Sequence, residues 1–203
     1  MSRKSYHHGD LPRALVEAAL SLIGEKGAAG FTFAEAARRA GVSPAAPYRH
    51  FRDREALIAE AARRGFALFA ERLEAAWDGG RPNPLRAFEA VGRAYLAFAR
   101  EEPAYFAAMF AAGVDARADP ALFAAGERAF GALLRACEAL AAQAPPDRRP
   151  PATMMAWHVW ALSHGVASLF SQPPGPCAPI PPEALLESLA AVYLRGLGLI
   201  PPD

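Results

Sequence analysis

Within seven residues, Tyr48, Arg49, His50, Arg52 and Arg54 gather side chains that all donate hydrogen bonds. That density suits the oxygens of a phosphate backbone and one base edge. Just upstream, Ser43-Pro44-Ala45-Ala46 supplies a helix cap, a first-turn proline and two small side chains. Alanine meets a thymine methyl in a major groove but forms no bidentate base contact, so base reading falls to the few polar neighbours. Arg3 and Lys4 form a basic arm of the kind that reaches an adjacent groove, with an idle solvated tail as the plain alternative. The sequence holds no G-x-S-x-G, no G-x-x-x-x-G-K-[ST] and no H-E-x-x-H. These residues point to binding without turnover, and neither an enzyme nor a cofactor is expected.

The donors need a scaffold, and residues 31–58 read as a helix-turn-helix followed by a third, longer helix. Thr32-Phe33-Ala34-Glu35 is a capping box that opens a helix running to about Ala40. Ala37 is small enough for a close helix contact, and Gly41 accepts the positive φ of the turn. Ser43 caps the recognition helix, with Pro44 at its first position. Pro47 removes the bond its amide would give to Ser43, a smaller penalty than the roughly 3 kcal/mol of an interior proline. The recognition helix is therefore expected to be short and to begin irregularly. Phe51 has the spacing of a buried anchor, and Arg54 has a solvated first turn as its plain alternative.

Helical periodicity continues along the chain, and the expected fold is all-α. Asp10 can cap a first helix with the stripe Leu11, Leu15, Ala18, Ala19, Leu22 and Ile23, stopped by Gly27. Asp53 caps a long helix reaching Gly79-Gly80, and further helices are expected at about 84–101, 103–112, 119–143, 152–171 and 182–198. The domain boundary is placed after residue 53: 1–53 as the helix-turn-helix domain and 54–203 as a larger helical domain.

The formal net charge of +1 divides unevenly, because residues 1–55 hold nine Lys or Arg against six Asp or Glu, and the remainder thirteen against fifteen. The positive end is the helix-turn-helix end, although an ordinary mixed surface reads the same way. Cys137 and Cys177 lack metal or disulfide spacing, His7-His8 sits in the exposed arm, and no metal site is expected. Residues 150–182 contain no Asp, Glu, Lys or Arg, so a membrane span must be weighed. Interrupting His158, Ser163, His164, Ser168 and Ser171 favour a helix buried on two sides, one on its own core and one on a partner chain. No leader is seen before the amphipathic run from Leu11, which makes a cytoplasmic protein without membrane contact the expectation.

In the larger domain Trp157, Trp160 and His164 share one helical face, while His158 points elsewhere. His164 reads either as an interhelical hydrogen-bond partner or as a ligand contact. Phe106, Met109, Phe110, Phe130 and Met154 read either as an apolar cavity wall or as plain core. Val166, Leu169 and Phe170, with Leu186, Leu189 and Tyr193 on the last helix, are the candidate dimer surface.

Tyr6-His-His-Gly-Asp-Leu11 together with Ala40-Gly-Val-Ser-Pro-Ala-Ala-Pro-Tyr-Arg-His-Phe-Arg-Asp-Arg-Glu-Ala-Leu57 resembles the amino-terminal domain of TetR-family transcriptional regulators. Trp160-Ala-Leu-Ser-His164-Gly165 is similar to the Trp-His-Gly signature of one subfamily's regulatory domain. The resemblance implies a homodimeric repressor that binds a palindromic double-stranded DNA operator and is released by a small-molecule effector. It places Thr32, Ser43, Tyr48, His50 and Arg54 at phosphates, and Ala45, Ala46 and Arg49 near bases. Pro47 departs from the pattern, where Leu, Thr or Ile is frequent, and Arg54 stands where Lys is common. An all-α carrier or sensor without DNA binding is the competing class.

Overall fold

The computed structural model describes residues 11–170 and 180–201 apart from Ala116 and Ala118, and these are helical with no strand among them. Eight α-helices follow one another: α1 Leu11–Lys26, α2 Phe33–Arg39, α3 Arg54–Trp77, α4 Pro84–Glu101, α5 Pro103–Phe110, α6 Pro120–Ala141, α7 Ala152–Phe170 and α8 Pro182–Gly196. None of them is long and apolar enough to cross a membrane. Arg3, Lys4, His7, His8, Asp10 and Cys177 lie outside the described residues.

The chain forms two compact units: residues up to Gly65 together with Ala104–Phe123, and Phe66–Pro103 together with Ala124 onward. In the first unit, α1 buries Leu15, Val16, Ala18, Ala19, Leu22 and Ile23, the expected stripe with Val16 added and Leu11, at the first position, only half-buried. Gly27, at φ +77°, ends α1 and gives its amide to the Ile23 carbonyl. The Thr32 hydroxyl accepts from the Glu35 amide at 3.2 Å, and the Glu35 carboxylate accepts from the Thr32 amide at 2.8 Å. Both bonds of the capping box are present. At the other end of α2, Gly41 sits at φ +75°, its amide reaching Arg38 and the Val42 amide reaching Ala37. This pair of bonds closes the helix with a left-handed glycine, as the sequence requires.

The segment between α2 and α3 departs from the expected helix. Only Pro47–Arg49 is helical, as a single 3₁₀ turn. The Ser43 carbonyl is taken by the Ala46 amide at 3.0 Å, three residues on, because Pro47 has no hydrogen to offer. Ser43, the expected cap, has no side-chain hydrogen bond among the described residues, and the position before the turn is Ala46. Pro47 itself is less than 2% exposed and belongs to the core, whereas the expected anchor Phe51 is only half-buried. The Asp53 cap is as expected: its carboxylate accepts from the Ala56 amide at 2.8 Å, and that bond, with Arg52 beside it, holds the acid below its usual range.

Arg54 fastens the start of α3 to the loop after α1. Its guanidinium donates to the Ala28 carbonyl and lies 4.9 Å from the centre of the Phe31 ring. Further along α3, a methyl group on Gly65 would stand 2.8 Å from Met109 Sδ and 3.1 Å from Tyr105 Cδ1. The two helices therefore meet as closely as a glycine permits.

In the second unit, Phe69 is fully buried at the centre of an aromatic cluster, 4.9 Å from Tyr95, 4.8 Å from Phe98 and 6.0 Å from Trp160 between ring centres. Asn83 caps α4 through the Arg86 amide, and Asp119, in the first unit, caps α6 through the Ala121 and Leu122 amides, directly before Pro120. Arg72 bridges α3 to the end of α4 through Glu101 at 2.7 Å and Glu102 at 2.8 Å.

Replacing Thr32 by Ala is expected to lower unfolding free energy by about 1 kcal/mol in urea denaturation. The Glu35 acid is lowered to about 2 by Lys26 first and by its bonds with Thr32. Its contribution is complete above the unfolded pKa of about 4.3 and disappears as pH falls towards 2. A thermal-midpoint series against pH should show that loss, reduced in Glu35→Gln. Arg54→Met keeps the aliphatic stem but loses the bond to Ala28. It is expected to cost about 1.5–3 kcal/mol, whereas Arg49→Ala should change stability by less than about 0.5 kcal/mol in the same assay.

Candidate nucleic-acid interface and regulatory core

The proline-braced turn presents its polar groups outward. Ser43, Pro44 and Ala45 are exposed, Ala46 is half-buried, and Tyr48, Arg49 and His50 are exposed on either side of the buried Pro47. Tyr48 is 64% exposed, yet its ring meets Phe33 edge-on at 5.0 Å, which fixes the hydroxyl's direction and sets the turn against α2. Three of the donors singled out in the sequence, Tyr48, Arg49 and His50, are thus exposed on consecutive positions of this turn.

The cations of this unit divide into paired and unpaired. Lys26 holds Glu35 at 2.7 Å, Arg39 holds Glu25 at 2.6 Å, and Arg52 holds Asp53 at 2.7 Å. Arg54 is committed to the Ala28 carbonyl and to Glu55 at 3.1 Å, and its Nε is buried without a partner among the described residues. Its placement is that of a structural tie, with only a partly exposed charge left to face solvent. Thr32, exposed, already exchanges hydrogen bonds with Glu35. Arg49 and His50 carry no side-chain partner among the described residues and are available to a ligand. Sequence reasoning passed over Arg38, which is exposed and equally unpartnered. The signal was its place one residue before Arg39, since neighbours on a helix point about 100° apart and cannot both meet α1.

In the second unit the Tyr95 hydroxyl lies 3.1 Å from His164 Nδ1, joining α4 to α7. Burial raises the Tyr95 phenol and lowers the His164 imidazole, so a neutral donor and a neutral acceptor meet there. Phe130 stacks 4.6 Å from Trp157 and 5.8 Å from Trp160. Phe130, Trp157, Trp160 and His164 thus stand in one unit, whereas Phe106, Met109 and Phe110 belong to the other. Trp157 and Met154 are more than half exposed and form an outer wall. None of these lines the cleft of about 90 Å³ between α4, α7 and α8, which is floored by Phe88, Leu96, Val159 and Leu186. At about 30 Å³ per water, that space suits a few waters and falls short of the 300 Å³ or more of a drug-sized site.

The last two helices divide the candidate dimer surface. Val166 and Leu186 are buried against their own chain and support the bundle from within. Leu169 is 73% exposed and Val192 65%, and Phe170, Leu189 and Tyr193 are half-buried. His158, on the exposed side of α7, lies 3.0 Å from the Tyr193 hydroxyl of α8. Cys137 is buried and its thiol is pushed up to about 12, which leaves it inert.

Comparison with known proteins agrees with this geometry. Residues 15–61 match the model of bacterial regulatory proteins of the tetR family, and residues 88–193 match that of the tetracyclin repressor-like C-terminal domain. No curated protein matches the chain. Among solved structures, a protein of unknown function from Rhodococcus sp. RHA1 is 30% identical, covering 96% of this chain and 98% of that one, with a TM-score of 0.78. The TetR family transcriptional regulator PfmR from Thermus thermophilus is 20% identical over 89% of this chain and 97% of its own, with a TM-score of 0.66. AibR, solved in complex with isovaleryl coenzyme A and operator DNA, shares the fold at 18% identity over 90% and 97%, with a TM-score of 0.67. One family model takes in the helix-turn-helix and the other spans more than half of the sequence, so the chain belongs to the TetR family of bacterial regulatory proteins.

Proposed function

We propose that this protein is a repressor that binds a roughly palindromic operator as a homodimer and leaves it when a small apolar effector binds. The observation that carries this reading is the proline-braced turn of residues 43–50, in which Arg49 and His50 are exposed and have no side-chain partner among the described residues. Residues 1–53 serve as the DNA-binding domain and 54–203 as the regulatory domain. Ser43, Tyr48 and His50 contact phosphates with Thr32, Arg49 approaches a base edge, and Pro44, Ala45 and Ala46 line the groove. Arg3 and Lys4 add an arm in the neighbouring groove.

The dimer surface is built from the exposed residues of the last two helices, Leu169 and Val192 with Leu189, Tyr193 and Phe170. Two recognition turns are then spaced for half-sites about 34–36 Å apart. Phe130, Trp157, Trp160 and His164 offer an aromatic wall for the effector, and such ligands typically oppose DNA by roughly 1–3 kcal/mol of coupling. AibR, with acyl-CoA and operator DNA in one structure, is a precedent within the fold for both ligand types.

Selection of bound fragments from a random duplex pool should return a palindrome. Its affinity should fall with salt by roughly 0.9 log unit per log unit for each phosphate neutralised. A salt-independent or absent interaction would favour the carrier reading. The double variant Leu169→Glu, Val192→Glu is expected to sediment as a monomer and to bind the selected palindrome about 100-fold or more weakly. A dimer of unchanged mass would move the interface elsewhere.

A further inference from the structure

We infer that Arg38 is a phosphate contact that widens the DNA footprint beyond the turn of residues 43–50; this rests on the DNA-binding reading above. On α2, Phe33, Ala36, Ala37 and Ala40 face the core. The two remaining flanks differ in charge state. One carries Glu35 and Arg39, both tied to α1: Glu35 to Lys26 at 2.7 Å, and Arg39 to Ser21 at 2.6 Å and in a two-pronged grip on Glu25 at 2.6 and 2.8 Å. The other carries Ala34 and Arg38 at i, i+4 spacing, both exposed, and Arg38 has no partner among the described residues. An arginine with no ion-pair partner among the described residues, on a helix whose neighbouring arginine is doubly held, is available to an external anion.

The anion is identified by placement. Tyr48 packs against Phe33, which sets the groove-reading turn beside α2, and the Gly41 cap leads directly from Arg38 into that turn. Phe33 and Arg38 are separated by about 7.5 Å along the helix axis at 1.5 Å per residue. A major groove is about 12 Å wide, so a helix flanking the element inserted in it crosses a phosphate strand. Ala34, one turn before Arg38, leaves that flank without bulk, so a sugar-phosphate chain can approach and the guanidinium can donate to two phosphate oxygens. The contact carries no base information, because it falls on the backbone.

Arg38→Ala, Arg38→Gln and Arg38→Lys, with Arg39→Ala as the control, are titrated against the selected operator and an unrelated duplex at several salt concentrations. Each variant's fold is checked by thermal melting. A phosphate contact predicts that Ala and Gln flatten the salt slope by about 0.9, weaken both duplexes by the same factor and keep the melting temperature, with Lys restoring the slope. Arg39→Ala should lower the melting temperature and leave the slope alone. An unchanged slope in folded Arg38→Ala, or a loss confined to the operator, overturns the assignment. A wild-type protein that binds no duplex removes the DNA reading itself, an outcome distinct from failure at Arg38.

Discussion

The proposed interface depends on one backbone constraint: between Gly41 and Phe51 the chain contains two residues with no amide hydrogen. Pro44 costs little, since it stands second in the turn closed by the Ala46 amide on the Ser43 carbonyl, a position that proline favours and that uses no amide hydrogen. Pro47 is the decisive one. Without its hydrogen, the Ser43 carbonyl turns to Ala46, the chain tightens into a 3₁₀ turn, and the ring, useless as a donor, becomes an apolar body buried in the core. Ala46, the residue before the proline, is held at φ −63° and ψ −40°, a region that a following proline disfavours, so tertiary packing sets its conformation. With the backbone already held at a buried pivot, the ordering entropy that opposes association falls mainly on the exposed side chains.

The same unit resolves the apparent weakness of its charge. An excess of three positive charges over the first 55 residues is small, but net charge is the wrong measure for a surface on which most cations are already matched. A guanidinium held at 2.6–2.8 Å from a carboxylate acts at a distance as a dipole, and its field falls off faster than that of a lone charge. Lys26, Arg39 and Arg52 are spent in this way on holding helices and loops in place. Arg38 and Arg49 are not, and the field a nearby polyanion meets is largely theirs. A nearly neutral chain can therefore present a locally cationic face.

The sequence was most legible where a local rule has a single solution. The Thr32–Glu35 box, the glycine stops at 27 and 41, the Asp53 cap and the spans of the α-helices to within a few residues all follow from short-range chemistry. What escaped needed three-dimensional context. Spacing suggested Phe51 as the anchor, yet the interior took Pro47. Arg54 looked like one donor among five until the Ala28 carbonyl and the Phe31 face claimed it. In α7 and α8, apolar nearly all round, periodicity could not separate Val166 and Leu186, which face inward, from Leu169 and Val192, which face outward. The aromatic residues grouped by composition into one cavity belong to two separate packing units, because composition carries no information about which helix meets which.

Arg54 also supplies a route by which movement of α3 reaches the recognition turn. Its backbone is the first residue of α3, while its guanidinium grips the Ala28 carbonyl and covers Phe31, just ahead of the Thr32 cap. A change in the tilt of α3 displaces that grip, and with it the loop from which α2 starts. From α2 the displacement passes through the Gly41 cap and the Phe33–Tyr48 contact into a turn that two prolines prevent from flexing. Each step is a bonded or packed pair within one compact unit, which ties the recognition turn to the first residue of α3. In a dimer whose two turns must match successive grooves about 34 Å apart, rigid transmission of this kind converts a small rotation into a lost fit, whereas a flexible turn would absorb it.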